Sequence, residues 1–144
     1  MTVELVKHAT SEVIDSINRL IPQLSSSAPS LTANQVEALV DQPDTHLFFY
    51  RPEEGGPVLG MLTLATFMIP TGLRAWIEDV VVDEAARGKG AGQLLVEAAA
   101  KKAAELGCKT IDLTSRPSRE AANRLYQRCG FSLRETNVYR LEAK

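Results

Sequence analysis

Residues 80–99 read VVVDEAARGKGAGQLLVEAA, and this stretch passes from an apolar segment through a charged turn into a leucine- and alanine-rich segment. The first part is typical of a buried strand and the last part of a helix. The turn between them contains Arg87, Lys89 and three glycines. Glycine lets the backbone approach a ligand closely, and the start of a helix offers unpaired N–H groups and the positive end of the helix dipole. The turn therefore predicts a site for an anion such as a phosphate group.

Two widely used phosphate-binding patterns do not fit this turn. A Walker loop requires serine or threonine after its lysine, whereas Gly90 follows Lys89. A dinucleotide-binding G-x-G-x-x-G pattern that starts at Gly88 would place its last glycine at Gln93, and the next strand lacks the acidic end that the pattern needs. A turn whose glycines serve only close packing is the alternative at this point.

The composition limits the class of protein. The chain has 144 residues and no internal repeat, so 1–144 is predicted to be a single domain with its own core. A formal net charge of −2 provides no basic field, which argues against nucleic acid as the main partner. The chain starts without a signal-peptide pattern, and its most apolar segment, 58–70, is too short to cross a bilayer, so a cytoplasmic protein without membrane association is expected. Cys108 and Cys129 have neither metal-ligand nor disulfide spacing, so no metal site is expected.

Apolar periodicity and turn residues predict an alternation of strands and helices. Helices are expected at 11–24, 33–41, 90–107 and 119–129, and strands at 2–8, 45–51, 58–69, 75–84, 108–115 and, as a final pair, within 131–143. The order is β-α-α-β-β-β-α-β-α-β-β. The predicted fold class is α/β, with a mixed twisted sheet of about seven strands and helices on both faces.

The glycine turn and the segments around it resemble those of a known family. The segment Arg87-x-x-Gly90-x-Gly92 is similar to the [RQ]-x-x-G-x-[GA] signature of the GNAT superfamily, the acetyl-CoA-dependent N-acetyltransferases. The stretches IEDVVVDE, AAELGC, KTIDLTS and REAANRLYQRCGF follow in the family's order and spacing, and the resemblance covers roughly residues 45–141. It implies a single-domain GNAT-like fold that transfers the acetyl group of acetyl-CoA to a primary amine of a small molecule or peptide, by direct attack in a ternary complex. A non-catalytic acetyl-CoA-binding or sensing module of the same fold is the alternative.

The resemblance also implies where coenzyme A binds. The N–H groups of the glycine turn would hold the pyrophosphate, and the backbone of the preceding strand would hold the pantetheine arm in a slot where it splays from the strand IDLTS. The implied residues are Val80, Val82, Arg87, Gly88, Lys89, Gly90, Ala91, Gly92 and Asn123. Many family members have asparagine at the position of Arg119, so that contact with the coenzyme stays open. Arg116 and Arg119 either bind a phosphate of the coenzyme, bind an anionic acceptor, or form a solvated pair at a helix start.

Tyr126 is the candidate general acid. It shares a stripe of the helix 119–129 with Arg119 and Ala122, which points the phenol inward. By resemblance, this tyrosine would protonate the departing thiolate. The alternative is a half-buried tyrosine that only fills a gap beneath the sheet.

Glu78 is the candidate base, because an ammonium group must lose a proton before it can attack. Regular strand alternation predicts that Glu78 shares one face with Trp76 and with the valines two and four residues further on. Burial among apolar residues would raise the pKa of this carboxyl into a useful range. Direct deprotonation, deprotonation through a water, binding of the cationic acceptor and a solvent-facing pair with Arg74 are the open roles. Asp79 is a weaker candidate and is more typical of a partner for a backbone amide.

The acceptor amine is expected to bind between the first helix pair and the loops around the strand meander, with walls from 25–32, 67–76 and 134–138. Phe67 and Trp76 suggest that part of this wall is apolar. The final strand pair offers an edge to another copy of the chain, so a homodimer is expected.

Overall fold

The computed structural model describes residues 1–143. Its helices are α1 (Ser11–Leu24), α2 (Ala33–Asp41), α3 (Ala91–Glu105) and α4 (Glu120–Arg128), and its strands are β1 (Thr2–Leu5), β2 (Thr45–Arg51), β3 (Gly60–Ile69), β4 (Gly72–Val82) and β5 (Thr110–Asp112). A short 3-10 turn, Glu84–Ala86, links β4 to the glycine turn. The predicted element order is confirmed from β1 to α4.

The strands form one mixed sheet in the order β1-β2-β3-β4-β5. The first four strands are antiparallel to their neighbours, and β5 runs parallel to β4. The prediction of about seven strands is therefore wrong, because five strands form and 131–143 contains none. A strand is stable only when an edge pairs with it, and nothing within residues 1–143 pairs with this last segment.

The sheet separates two apolar clusters. On one face, which we call the α1 face, α1 and α2 pack on the sheet, and Leu20 and Phe49 are fully buried there. On the other, the α3 face, α3 and α4 pack on the sheet around Leu62 and Leu95. Apolar burial of this kind is the main source of stability in a domain of this size. The two faces matter for function because β4, in the sheet interior, presents side chains to both of them.

Within the residues that the structure describes, no helix is both long and apolar enough to cross a membrane.

Candidate active site

The glycine turn has the conformation that its sequence requires. Gly88 and Gly90 have φ values of 76° and 84°, in the left-handed region that residues with a Cβ rarely adopt. Gly90 is the N-cap of α3, and no side chain caps the helix there. Gly92 differs, since a Cβ at this position would lie 2.8 Å from Leu125 Cδ2 of α4. The packing interpretation therefore applies to Gly92, whereas Gly88 and Gly90 shape the turn itself.

This conformation leaves a run of backbone donors without partners. None of the N–H groups of 88–93 donates a well-formed hydrogen bond to an acceptor in the described part of the chain. The first internal bond of the helix runs from Leu94 N to Gly90 O, at 3.1 Å. Unpaired N–H groups and the positive end of the α3 dipole together form a cradle that suits a phosphate group.

Two cations border the cradle. Arg87 donates from Nε to the carbonyl oxygen of Val82 at 3.2 Å, and Lys89 donates from Nζ to that of Ala85 at 3.3 Å. Both side chains are exposed, and each bonds back to a carbonyl oxygen beside the turn. Their charge adds to the attraction of the free N–H groups for an anion.

The turn is held from α1 by a polar network that the sequence analysis missed. Asp83 caps the 3-10 turn by accepting from Ala85 N at 2.9 Å, and its carboxylate also accepts from Arg19 at 3.2 Å and from Gln23 at 2.9 Å. Gln23 in turn accepts from Glu84 N at 3.2 Å. An aspartate before a short helix is a recognisable cap signal, but its partners are about 60 residues away, so no local pattern could identify them.

We expect Asp83→Asn to lower the free energy of unfolding by about 1 kcal/mol at neutral pH, because asparagine keeps a capping oxygen but loses the charge that strengthens the hydrogen bonds from Arg19 and Gln23. The Ala85 N–H, the Gln23 amide and the nearby charges of Arg19 and Arg87 hold the pKa of the Asp83 carboxyl below its ordinary value, against a smaller opposing effect of burial. A carboxyl with a lowered folded-state pKa stabilises the fold above its unfolded pKa of about 3.9, and this contribution is lost as the pH falls through the folded value.

Urea denaturation at pH 7 and at pH 3 measures this effect. The difference between wild type and Asp83→Asn should shrink at the lower pH. Glu84→Gln is the matched control, because the neighbouring Glu84 accepts no hydrogen bond through its side chain within residues 1–143. An equal loss in both variants would contradict the assigned network.

Below the cradle, β4 and β5 separate. Their parallel pairing covers Arg74 with Thr110, Ala75 with Ile111 and Trp76 with Asp112, and it ends there. The second half of β4, from 77 to 82, thus has an edge without a strand partner in the described chain. The pairing ends before the position of the predicted splay, and it leaves backbone groups of β4 without a strand partner in the described chain.

A bulge in β4 divides the two halves of the strand. Met61 pairs with Val81 and Thr63 with Glu78, so two residues of β4 lie opposite the single Leu62. Asp79, one of the two, has a φ of 52°, the one positive value among the described non-glycine residues. The bulge reverses the alternation of side chains beyond it.

The predicted facing of β4 is wrong for this reason. Ile77 packs in the α3-face cluster. Val81 lies four residues further along and would share that face in a regular strand, but it packs in the α1-face cluster. Val80 and Val82 contact the α3-face cluster instead. Glu78 therefore lies on the α1 face, opposite to the valines with which regular alternation had grouped it.

Glu78 is also exposed rather than buried. Its Oε1 accepts a hydrogen bond from Trp76 Nε1 at 2.7 Å, which confirms that these two side chains share a face. Arg74 donates instead to Thr71 and Thr110, so the structure does not contain the alternative Arg74 pair. Desolvation and the charge of Glu78 raise the pKa of the neighbouring Asp79 carboxyl. Glu78 and Asp79 are both exposed, and we call this part of β4, with its two adjacent carboxyls, the negative mouth.

Tyr126 lies on the α3 face. Its side chain is 8% exposed, and its ring meets that of Phe131 edge to face with a centroid distance of 6.0 Å. The hydroxyl has no hydrogen-bond partner within residues 1–143. Burial raises the pKa of the phenol, against a smaller opposing effect of Arg119, so the group is protonated at neutral pH and can donate.

The start of α4 holds the remaining predicted residues. Asn123 donates from Nδ2 to the carbonyl oxygens of Arg116 and Pro117, at 3.0 and 3.5 Å, and so fixes the turn before the helix. Arg116 and Arg119 are both exposed, and neither side chain forms an ion pair within the described chain. They are available to an anionic ligand.

Two cavities of the molecule lie elsewhere. One of about 270 Å³ is lined by residues of β1 and the start of α1, and one of about 280 Å³ lies between β1, β2 and α3. Neither contains a residue that the sequence analysis assigned to the site. The candidate site is instead the edge of β4 beyond its pairing with β5, which offers backbone groups to an extended ligand.

Comparison with known proteins agrees with this geometry. The model of the Acetyltransferase (GNAT) family matches residues 14–131, so the chain belongs to the GNAT family of acetyltransferases. N-acetyltransferase activity with acetyl-CoA as the acetyl donor is the activity of this family.

Individual relatives are more distant. A probable glucosamine 6-phosphate N-acetyltransferase 2 from Oryza sativa subsp. japonica is 32% identical, with 78% of this chain and 71% of that protein covered. A putative acetyltransferase from Agrobacterium tumefaciens str. C58 is 26% identical, with a TM-score of 0.85 over 99% of this chain and 100% of that one. A glucosamine-6-phosphate N-acetyltransferase from Arabidopsis thaliana has a TM-score of 0.80 at 22% identity, covering 98% of this chain and 99% of that one, which supports the fold alone.

Proposed function

We propose that this chain transfers the acetyl group of acetyl-CoA to a primary amine of a small molecule or peptide, by direct attack in a ternary complex. The supporting observation is that the two candidate catalytic groups lie on opposite faces of the sheet that contains the unpaired edge of β4. Tyr126 is on the α3 face, together with the glycine turn at the start of α3, and Glu78 is on the α1 face. A thioester held at this edge would meet an amine from one side and release a thiol on the other.

In this proposal, the residues that bind the coenzyme are those of the cradle and the open edge. The free N–H groups of 88–93, with Arg87 and Lys89, would hold the pyrophosphate. The unpaired edge of β4 at Val80 and Val82 would hold the pantetheine arm by backbone hydrogen bonds. The Asn123 side chain donates to the Arg116 carbonyl oxygen and so holds the turn before α4. Asn123 would therefore contribute to coenzyme binding by keeping Arg116 in place. Its Oδ1 remains available to the coenzyme.

The chemistry follows from the placement of the protons. The ammonium group of the acceptor gives a proton to Glu78, directly or through a water, and its nitrogen then forms a bond to the carbonyl carbon of the thioester. The carbon–sulfur bond breaks, and the sulfur leaves with the electron pair and takes the proton of Tyr126 Oη. The new amide nitrogen gives its second proton to water, and the Tyr126 phenolate takes a proton from water to restore the phenol. The exposed position of Glu78 suits exchange of its proton with solvent, and the negative mouth attracts a cationic acceptor. Alignment of the two reactants supplies a further part of the barrier reduction, about 7 kcal/mol or more in favourable cases.

The acceptor class is the open part of the proposal. The name of the rice relative makes glucosamine 6-phosphate the first acceptor to test, and the unpaired Arg116 and Arg119 are the residues that suit its phosphate group. Trp76 and Phe67, on the strands beside the mouth, offer apolar surface to a less polar amine.

The test is thiol release from acetyl-CoA across a panel that contains glucosamine 6-phosphate, glucosamine, a linear diamine, an aminoglycoside and a short peptide with a free amino terminus. Calorimetry with coenzyme A measures donor binding separately. Release above background with at least one amine supports the enzyme. Binding of coenzyme A without release on any amine would support the non-catalytic module instead, and absence of binding would overturn both.

For Glu78→Gln we expect kcat to fall about 10²-fold at pH 7, at the lower end of the range for loss of a general base because water can replace an exposed one. The deficit should diminish at alkaline pH, where more of the free amine is present without assistance. The variant Asp79→Asn removes the adjacent carboxyl and serves as the control. A Glu78→Gln variant with unchanged kcat but a raised KM for the amine would show that Glu78 only binds the acceptor.

A further inference from the structure

Glu78 lies where its strand loses support on one side. Within the described chain, Trp76 is the last residue of β4 that is paired with both β3 and β5. Glu78 pairs only with Thr63 of β3, and the bulge at Asp79 follows directly. Its side chain is exposed and has many rotamers open to it, whereas a general base must be held within hydrogen-bond reach of the proton that it takes. A base at this position therefore gains from a neighbour that fixes its carboxylate.

Trp76 holds the carboxylate of Glu78. Its Nε1–H donates to Oε1 at 2.7 Å, at the short end of the range for N–H···O bonds and typical of an ionised acceptor. The indole is rigid and half-buried, and it belongs to a residue that two neighbouring strands hold in place. Its N–H is a donor only, so it can fix the carboxylate but cannot compete with it for a proton.

The surroundings leave this carboxylate free to act. Arg74, two residues before Trp76, donates to Thr71 and Thr110 and does not pair with Glu78. Glu78 Oε2 accepts no hydrogen bond within residues 1–143. One oxygen is thus fixed by the indole, while the other has no partner in the described chain.

We propose, on the basis of the proposed acetyl transfer, that Trp76 is a positioning residue that acts through Glu78. The indole N–H holds Oε1, and Oε2 is left to the ammonium group of the acceptor. An N–H bond of that group breaks, the proton forms an O–H bond with Oε2, and the electron pair stays on the nitrogen for attack on the thioester. Without the indole N–H, the carboxylate would adopt this geometry for only part of the time, and kcat would fall. Binding of the donor would not change, because the proposed donor site lies on the other face of the sheet.

Trp76 is the single tryptophan of the chain, so growth on a tryptophan analogue changes this position alone. Benzothienylalanine keeps the shape of the side chain but has sulfur in place of the N–H. With an amine that wild type acetylates, we expect kcat to fall about tenfold, while the KM for acetyl-CoA and the urea midpoint stay as in wild type. Fluorotryptophan, which keeps the N–H, is the matched control and should retain the kcat of wild type.

The same replacement in a Glu78→Gln background tests whether Trp76 acts through Glu78. We expect a further change in kcat of less than about twofold, because the base is already absent. An equal loss in both backgrounds, or an unchanged kcat in the benzothienylalanine protein, would overturn the positioning role and leave the proposed function standing. A wild type that releases no thiol with any amine would overturn the proposed function, and the positioning role with it.

The hydrogen bond is also tested without acetyl transfer. Because the chain has one tryptophan, its proton–nitrogen correlation spectrum contains one indole signal. We expect the indole proton of wild type at higher chemical shift than that of Glu78→Ala, which lacks the acceptor oxygen. The same chemical shift in both proteins would show that the bond is absent in solution, and would overturn the proposal whatever the activity.

Discussion

The variant Tyr126→Phe is expected to lose at least 10²-fold in kcat, while its affinity for coenzyme A stays within about twofold of wild type. The change removes only the hydroxyl, and the ring keeps its edge-to-face contact with Phe131. Because that hydroxyl has no hydrogen-bond partner in residues 1–143, the stability of the fold should hardly change. General acid catalysis is typically worth about 10²–10⁴-fold, which sets the size of the expected loss.

The pH dependence of kcat provides a second readout. Burial raises the pKa of Tyr126 above its ordinary value of about 10, so wild type should lose activity only at strongly alkaline pH, where the phenol gives up its proton. The variant should lack this alkaline decline. Tyr50→Phe is the matched control, since Tyr50 is also buried in the α3-face cluster. If Tyr126→Phe kept kcat within twofold of wild type, the tyrosine would be a packing residue.

The second large effect is expected for Gly90→Ala, which should raise the dissociation constant of coenzyme A at least tenfold. Alanine is disfavoured by about 1–2 kcal/mol at the φ of 84° that Gly90 adopts. Relief of this strain would rotate the peptide groups at the start of α3, so the N–H groups of 88–93 would no longer converge on one anion. A tenfold loss corresponds to about 1.4 kcal/mol, which is comparable to the strain.

Gly107→Ala separates the loss of binding from the loss of stability. Gly107 has a φ of 87° just beyond the other end of α3, and a Cβ there would also meet open space. Both variants should therefore lose a similar free energy of unfolding in urea, but only Gly90→Ala should bind coenzyme A more weakly by calorimetry. Equal affinities in the two variants would show that the turn does not hold the coenzyme.

The sequence predicted those features of the fold that depend on neighbouring residues. The strand, glycine turn and helix within 80–99 could be read locally, because apolar runs, glycines and a helix start each act over a few residues. The capping box that Thr32 and Gln35 form at the start of α2 is equally local. The last two strands failed because a strand also needs an edge to pair with. The alternation in 131–143 contains no information about whether that edge belongs to the same chain.

At the candidate site, the positions in sequence were easier to predict than the directions of the side chains. The bulge at Asp79 arises from the register between β3 and β4. No residue type near Glu78 indicates this register in the sequence. The single extra residue moved Glu78 to the α1 face and away from Val80 and Val82. The support that Arg19 and Gln23 give to Asp83 was also hidden, because it joins elements that are distant in the chain.

The extra residue in β4 lets even-numbered side chains of one strand face both sides of the sheet. Before it, Trp76 and Glu78 lie on the α1 face, where the proposed acceptor would bind. After it, Val80 and Val82 contact the α3-face cluster, on the side of the proposed donor. If the proposed function holds, substitutions at Trp76 or Glu78 would alter the choice of amine while binding of the donor is kept. In such a sheet, a substitution on the acceptor side would leave the donor side unchanged. New acceptors could therefore be gained by single substitutions.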